Sequence, residues 1–145
     1  MRKQKGFSLI ELLIVVAIIL IIAAIAIPNL LRSRIAANES SAVGSIRSIN
    51  TAQVTYASTY PDAGFSPSLA NLGPISGTSP TSAAAGLLDG VLGCTSNNCT
   101  KSGYKFNVGG GNTTYTVNGS PATPGQTGQR YFYSDASGVI RYSNS

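Results

Sequence analysis

One uninterrupted apolar block limits what this chain can fold into. Residues 12–27 are sixteen consecutive apolar residues, and the apolar character extends back to Phe7, broken only by Ser8 and Glu11. As a helix, the segment from Phe7 to the end of the block spans about 31 Å, close to the hydrocarbon thickness of a bilayer. No ordinary strand is that long. The block therefore predicts a helix that lies in a membrane or is covered on all sides.

A short basic leader precedes the apolar block. Arg2, Lys3 and Lys5 lie within the first six residues, and the positive-inside rule then predicts a cytoplasmic N-terminus with the remainder of the chain outside. The whole chain has ten basic and five acidic residues, so without these three cations its net charge falls from +5 to +2. That balance does not predict a nucleic-acid-binding patch.

Three interpretations of this end compete. An ordinary secretory signal peptide, cut after Ala24-Ile25-Ala26, would release a secreted domain. A plain single-pass anchor would keep the chain in the membrane, but the carboxylate of Glu11 inside the apolar segment then needs a reason to be there. The third interpretation explains Glu11, and it rests on a resemblance.

The run KGFSLIELLIVV at residues 5–16 resembles the N-terminal signature of type IV pilins and the related pseudopilins. In that family a basic leader ends in Gly, a membrane-embedded prepilin peptidase cuts after it, and the new N-terminal residue is N-methylated. The resemblance implies cleavage after Gly6, methylation at Phe7 and a role in assembly for Glu11. It is close over residues 1–35, where Pro28 also falls at a position that many of these pilins fill with Pro.

Elementary electrostatics agrees with this role for Glu11. After cleavage, the cationic amine of Phe7 lies about one helical turn from that carboxylate. In a stack of such helices, Glu11 of one subunit is expected to pair with the Phe7 amine of a neighbour, because an unpaired carboxylate in a low-dielectric bundle costs several kcal/mol. The alternative is a carboxylate that reaches the aqueous interface and takes no part in assembly.

The helix is predicted to continue past Pro28 and to end at Tyr60-Pro61. Pro28 removes one backbone hydrogen bond, so a kink or a loosened turn is expected there, at the exit from the membrane. An apolar stripe follows at helical spacing: Ile35, Ala42, Ile46, Ile49, Ala52, Tyr56 and Tyr60. The other face is predicted to be polar: Arg32, Arg34, Asn38, Glu39, Ser41, Ser45, Arg47 and Ser48.

The apolar stripe must pack against other residues to be buried, and the C-terminal part of the chain can provide them. Residues 104–145 contain two hairpin patterns and predict a small antiparallel sheet of about four strands, with turns at 109–112 and 135–138. Residues 61–103 are rich in Pro, Gly, Ser and Thr and predict a loop-rich connector, with a short turn around Ser68–Asn71 and a second short helix at 86–92. The predicted fold is α+β: a long helix packed on a small sheet, as in pilins.

The predicted organisation has four parts. These are a basic leader (1–6), a membrane or filament-core half of the helix (7–28), an amphipathic half (29–60) and a globular head (61–145).

Cys94 and Cys99 are the two cysteines of the chain. On an oxidising extracytoplasmic side they predict a disulfide, which would close a six-residue loop and stabilise the head by about 2 kcal/mol. Two thiolates without any His do not complete a zinc site, and four intervening residues do not make a redox CxxC motif.

Nothing in the sequence predicts an enzyme. The chain has no His, the commonest general base and metal ligand. Its carboxylates are scattered, and the glycine run at 109–111 lacks the Lys of a phosphate-binding loop. We expect no catalytic residues, no cofactor and no bound metal.

The sequence therefore predicts a structural subunit of a type IV pilus-like filament, a helical homo-oligomer. The expected partners are the membrane lipid before assembly, the prepilin peptidase and an inner-membrane assembly platform. The chain would cross the bacterial inner membrane once and later join an extracellular or periplasm-spanning filament. Two alternatives stay open: a type II secretion pseudopilin, and an anchored or secreted binding domain that does not polymerise. Adhesion, motility, DNA uptake and secretion all use such subunits.

Overall fold

A computed structural model describes Met1 and residues 6–144. The leader cations Arg2, Lys3 and Lys5 lie outside the described residues. The chain divides into two compact units, Met1–Arg34 and Ile35–Ser145, and each is treated by itself below. The elements are α1 (Leu9–Thr59), α2 (Leu69–Leu72), β1 (Cys99–Lys101), β2 (Tyr104–Gly111), β3 (Thr114–Pro121), β4 (Tyr131–Asp135) and β5 (Arg141–Ser143).

The sheet confirms the predicted α+β class but has five strands rather than about four. All neighbours are antiparallel and follow chain order, β1-β2-β3-β4-β5. The additional strand, β1, lies inside the segment predicted to be a connector. It pairs with β2 through Cys99 opposite Phe106. Three residues are too few to show the alternation by which strands are found in a sequence.

The first hairpin turns later than the glycine run suggests. Gly109, Gly110 and Gly111 were predicted to form the turn, but they belong to β2 and pair with Thr116, Tyr115 and Thr114. The turn lies at 112–113, with Asn112 at a φ of 61°. A Cβ on Gly110 would lie 2.7 Å from the Thr114 carbonyl oxygen, so glycine here serves close strand pairing rather than chain reversal.

The predicted helical stripe is confirmed where α1 packs on the sheet. Ala42, Ile46, Ile49, Ala52 and Tyr56 are all buried, while the ends of the stripe are only half-buried. The sheet contributes a row of buried side chains from its inner face: Tyr104, Phe106, Val108, Tyr115, Val117 and Phe132. The amphipathic part of α1 and this face of the sheet therefore form the core of the unit 35–145.

Polar groups enter this core where the sequence did not predict them. Ser45 was assigned to the polar face but is buried, and Asn50 and Gln53 are buried beside it. The Asn50 amide donates to the Ser134 hydroxyl at 2.8 Å and accepts from the Tyr115 hydroxyl at 3.2 Å. Because each polar atom of the Asn50 amide has a hydrogen-bond partner, burying these groups costs little free energy. Their hydrogen bonds fix the register of the helix against the sheet.

Gln53 joins α1 to the connector through two hydrogen bonds. Its amide nitrogen donates to the Ser66 carbonyl at 2.9 Å, and its amide oxygen accepts from the Ser66 backbone N–H at 2.8 Å. Both side chains are fully buried. The Gln53 side chain thus gives the buried Ser66 backbone the hydrogen-bond partners that a neighbouring strand would otherwise provide.

The connector is anchored at a few points. Ser68 caps α2, as the predicted turn requires, and Leu69 and Leu72 are fully buried. The predicted helix at 86–92 is wrong: the segment forms bends and turns, and its backbone N–H groups at 87 and 88 donate to the Leu72 carbonyl rather than to carbonyls one helical turn earlier. Residues 74–83 are exposed.

Glu39 is half-buried, although the polar-face pattern suggested a solvated side chain. Its carboxylate accepts from the backbone N–H groups of Gln129 and Arg130, at 2.9 and 3.2 Å, and its second oxygen lies 3.6 Å from Nε of Arg130. The helix therefore holds the loop between β3 and β4 through a carboxylate.

Gly44→Ala is expected to stabilise the unit 35–145. Gly44 is exposed on α1, no atom lies within 4 Å of a Cβ placed there, and its φ is not positive. Alanine lowers the entropic cost of the helix, so the free energy of unfolding should rise by about 0.5–1 kcal/mol. Thermal unfolding of the variant and of wild type measures this; an unchanged or lower melting temperature would contradict it.

Burial raises the pKa of the Tyr104 hydroxyl to about 12, with a further contribution from the nearby Glu39 carboxylate. The folded state then holds this proton more tightly than the unfolded state, whose tyrosine pKa is about 10. The stabilising contribution of the protonated phenol is complete below pH 10 and is lost as the pH rises through 12.

Tyr104→Phe should therefore flatten the alkaline loss of stability. We expect wild type to lose about 2 kcal/mol more than the variant between pH 9 and pH 12. At neutral pH the variant loses the bond from the hydroxyl to the Arg130 carbonyl, 2.9 Å long, and should be slightly less stable. Urea unfolding at several pH values measures both effects, and parallel curves for the two proteins would exclude this role for Tyr104.

Candidate processing and assembly site

Residues 6–8, directly before α1, are exposed. Gly6, Phe7 and Ser8 have no regular secondary structure, and the Phe7 side chain is 91% exposed. A Cβ on Gly6 would meet no atom within 4 Å. The peptide bond between Gly6 and Phe7 therefore lies outside the helix.

Glu11 lies one turn inside α1 and caps its start. The Ser8 carbonyl accepts the first helical hydrogen bond from the Leu12 N–H at 3.2 Å, which puts Ser8 at the N-cap position. The carboxylate of Glu11 accepts from the Ser8 backbone N–H at 2.9 Å, one half of a capping box. In the single subunit this carboxylate thus has a neutral partner at the positive end of the helix.

Among the described residues of the unit Met1–Arg34, none covers the apolar helical surface that follows. Leu9, Ile10, Leu12, Leu13 and the large apolar side chains after them as far as Leu31 are 45–75% exposed. The helix is long and apolar enough to cross a membrane by length and composition. Burying so much apolar surface is strongly favourable, so lipid or other protein chains are the expected surroundings.

Pro28 lies within α1, and the helix assignment continues through it. Its ring nitrogen carries no hydrogen, so the carbonyl of Ala24 loses its helical donor. The kink or loosened turn at this position stays a prediction.

Cys94 and Cys99 belong to the unit 35–145 and form a disulfide. Within the loop that it closes, the Asn97 side chain accepts from the backbone N–H groups of Leu69 and Val108, both at 3.2 Å, and donates to the Val108 carbonyl. This amide ties the loop to both α2 and β2.

The Lys101 ammonium pairs with the Asp89 carboxylate at 3.1 Å. The backbone N–H of Leu92 bonded to Asp89 and the nearby Lys101 ammonium lower the pKa of that carboxyl.

The described residues contain no group of three or more His, Cys, Asp or Glu placed to hold a metal ion. Of the residues singled out in the sequence, Gly6, Phe7 and Glu11 come together at the start of one helix. The capping role of Glu11 was missed, although the spacing Ser8-x-x-Glu11 is a recognised sequence signal for it.

Residues 1–27 match the family model described as the prokaryotic N-terminal methylation motif. This match covers the predicted cleavage position, Phe7, Glu11 and the apolar block. This segment of the chain is therefore similar to the N-terminal segments of proteins that carry this methylation motif.

Three relatives match segments of 40 to 56 residues of the chain. The type IV wide pilus major component PilA4 of Thermus thermophilus is 65% identical over 40 residues, 28% of this chain and 30% of the relative. The type IV major pilin protein PilA of Myxococcus xanthus is 46% identical over 54 residues, 37% of this chain and 24% of the relative. The type II secretion system core protein G of Vibrio cholerae is 41% identical over 56 residues, 39% of this chain and 38% of the relative.

The similarity to these relatives is confined to a minor part of each protein. The matched segments span between 24% and 38% of the relatives' own lengths. No solved structure matches the chain. The long helix packed on an antiparallel sheet agrees with the pilin fold, and the head is described here from its own residues.

Proposed function

We propose that this chain is a subunit of a type IV pilus-like filament, made as a membrane-inserted prepilin, cut after Gly6 and methylated at Phe7. The observation that carries the proposal is the combination of an exposed Gly6–Phe7 segment, Glu11 one turn later and an exposed apolar helix surface. A secretory signal explains the apolar surface but not the carboxylate. A plain anchor explains neither the carboxylate nor the matched methylation motif.

Glu11 changes partner during assembly in this proposal. In the single subunit its carboxylate bonds to the Ser8 N–H. Cleavage creates a cationic amine at Phe7, and in a bundle of helices the amine of a neighbouring subunit replaces the backbone partner. Replacing the neutral donor by a cation strengthens the interaction of the Glu11 carboxylate most where water is excluded, because opposite charges attract most strongly where the dielectric constant is low. The apolar surface then becomes the dry centre of the filament.

The chain has a structural role in this proposal, and its partners are further copies of itself, the prepilin peptidase and the inner-membrane assembly platform. Before assembly the helix lies in the inner membrane with its N-terminus in the cytoplasm, and afterwards the subunit is part of an extracellular or periplasm-spanning filament.

A type II secretion pseudopilin is the second candidate. The match to the Vibrio cholerae core protein G favours it as directly as the other relatives favour a pilus. Release of secreted proteins that depends on this chain, without sheared surface filaments, would select the secretion role.

Intact mass measurement of the chain purified from its native membrane tests the proposal first. We expect a mature chain that starts at Phe7 and carries one additional methyl group on its N-terminal amine. A start at Ile27 would mean an ordinary signal peptide, and an uncut chain would mean a plain anchor; either result rejects the proposal.

Gly6→Leu supplies the matched control, because it changes the cleavage position and leaves the helix untouched. The variant should accumulate as the uncut precursor in the same membrane fraction. A mature-sized band from this variant would show that another peptidase, cutting elsewhere, processes the chain.

A further inference from the structure

The outer face of the sheet has an unusual set of side chains. Successive residues of a strand point to opposite faces, and the buried residues Phe132 and Ser134 mark the inner face of β4. Tyr131 and Tyr133 therefore point outwards. The strand register places Asn118 and Arg141 on either side of Tyr133.

A shallow depression of about 300 Å³ lies at this place, lined among others by Asn118, Tyr131, Tyr133 and Arg141. Its volume is at the lower end of the range of small-ligand sites. Tyr133 is 37% exposed, so its ring is supported by the sheet and still open on one side.

The chemistry of this face is polar and almost neutral. On β2 to β5 the outward positions hold Gly, Ser, Thr, Asn, Tyr and three charged residues, with no aliphatic side chain. The charge of Arg141 is balanced by Asp135, 3.0 Å away. The Asn118 amide donates to the Asn107 side chain at 3.1 Å; its carbonyl oxygen and its second hydrogen can serve a ligand.

We propose that this depression binds an uncharged glycan, with a sugar ring stacked on Tyr133 and hydroxyl groups bonded to Asn118 and Arg141. Sugars present an apolar C–H face and a rim of hydroxyl groups, which fit a supported aromatic ring beside amide and guanidinium groups. A polyanion fits less well because the guanidinium is already neutralised and Lys105 is the other outward cation on these strands. A second protein copy is the competing occupant, because Tyr and Arg are also enriched at protein interfaces, and the test below separates the two.

The test uses the full-length chain in a zwitterionic detergent without a sugar headgroup, since alkyl glycosides would compete for the site. Cellohexaose, chitohexaose and maltohexaose are the probes, and binding is followed by isothermal titration calorimetry. We expect at least one of them to bind with an affinity that does not change between low and high salt.

Three variants assign the site. Tyr133→Ala should weaken binding about tenfold by removing the stacking ring, whereas Tyr133→Phe should retain it. Val54→Ala, at a 57% exposed position on α1, should bind as wild type does. Thermal unfolding of each variant confirms that the head is folded before the titrations are compared.

The results separate this proposal from its competitors and from the filament function, because the binding site lies within one subunit. Failure of all three oligosaccharides to bind, or equal binding by Tyr133→Ala, overturns it. So does binding of oligo-dT alone that disappears at high salt, which would assign the face to single-stranded nucleic acid. Self-association that is abolished by Tyr133→Ala, with no sugar binding, would assign it to a second copy.

Discussion

Glu11→Gln is expected to leave cleavage intact and to reduce filament yield at least about tenfold. The loss of one modest charge pair at each interface lowers the equilibrium constant for subunit addition about tenfold. Glutamine keeps an amide oxygen that can accept from the Ser8 N–H, so the helix start is preserved. It has no charge with which to bind the Phe7 amine of a neighbour. The amine would then be buried without a counter-ion, a cost that a filament of repeated contacts meets at each subunit.

This substitution separates capping from assembly, which Glu11→Ala alone does not. Alanine removes the capping bond and the charge together, so a loss of filaments from that variant has two explanations. Filament yield is measured by shearing cells and quantifying the chain in the pelleted filaments, with the mature mass in the membrane fraction as the processing control. Wild-type yield from Glu11→Gln would show that the carboxylate serves the helix start and not the register of subunits.

Gln53→Met is expected to destabilise the unit 35–145 by about 3 kcal/mol. Methionine has nearly the same length as glutamine but neither donates nor accepts as an amide does. The substitution leaves the backbone N–H and carbonyl of Ser66 without partners in a buried position. Each orphaned group costs about 1–3 kcal/mol, which the added apolar contact of the methionine offsets only in part.

Val54→Met is the matched control, next in sequence but 57% exposed. Its effect should stay within about 0.5 kcal/mol, as for most surface substitutions. Urea unfolding of the two variants with the disulfide intact gives the comparison. Equal stability of Gln53→Met and wild type would mean that water or an altered loop satisfies the Ser66 backbone.

The long helix was predictable because its signals are local. The apolar block needs no partner in the sequence to be recognised, Tyr60-Pro61 marks the end, and the spacing of Ile46, Ile49 and Tyr56 identifies the inward face. The two hairpins between β2 and β5 were predictable for the same reason. The α+β class followed from these elements alone.

The polar contacts within the core were not predictable because their partners are distant in the chain. Asn50 is satisfied by Ser134 and Tyr115, more than sixty residues away. A polar residue at such a position indicates a solvent-exposed face unless the fold that satisfies it is known. The strand β1 was missed for a related reason, since its order comes from pairing with Phe106 and its neighbours.

For the candidate site, the sequence predicted the three residues Gly6, Phe7 and Glu11 and the chemistry of each. The structure adds the exposure of Gly6 and Phe7 and the capping bond of Glu11. The pairing between subunits stays a prediction, because it involves a second copy.

The positions at which the connector is anchored determine where the sequence of the head can vary. The fold depends on Ser68, Leu72 and Asn97, whereas residues 74–83 lie exposed between those anchors. Substitutions or short insertions in that stretch alter the surface of the head without disturbing its core. The exposed segment 74–83 is therefore the part of the connector that selection for folding constrains least.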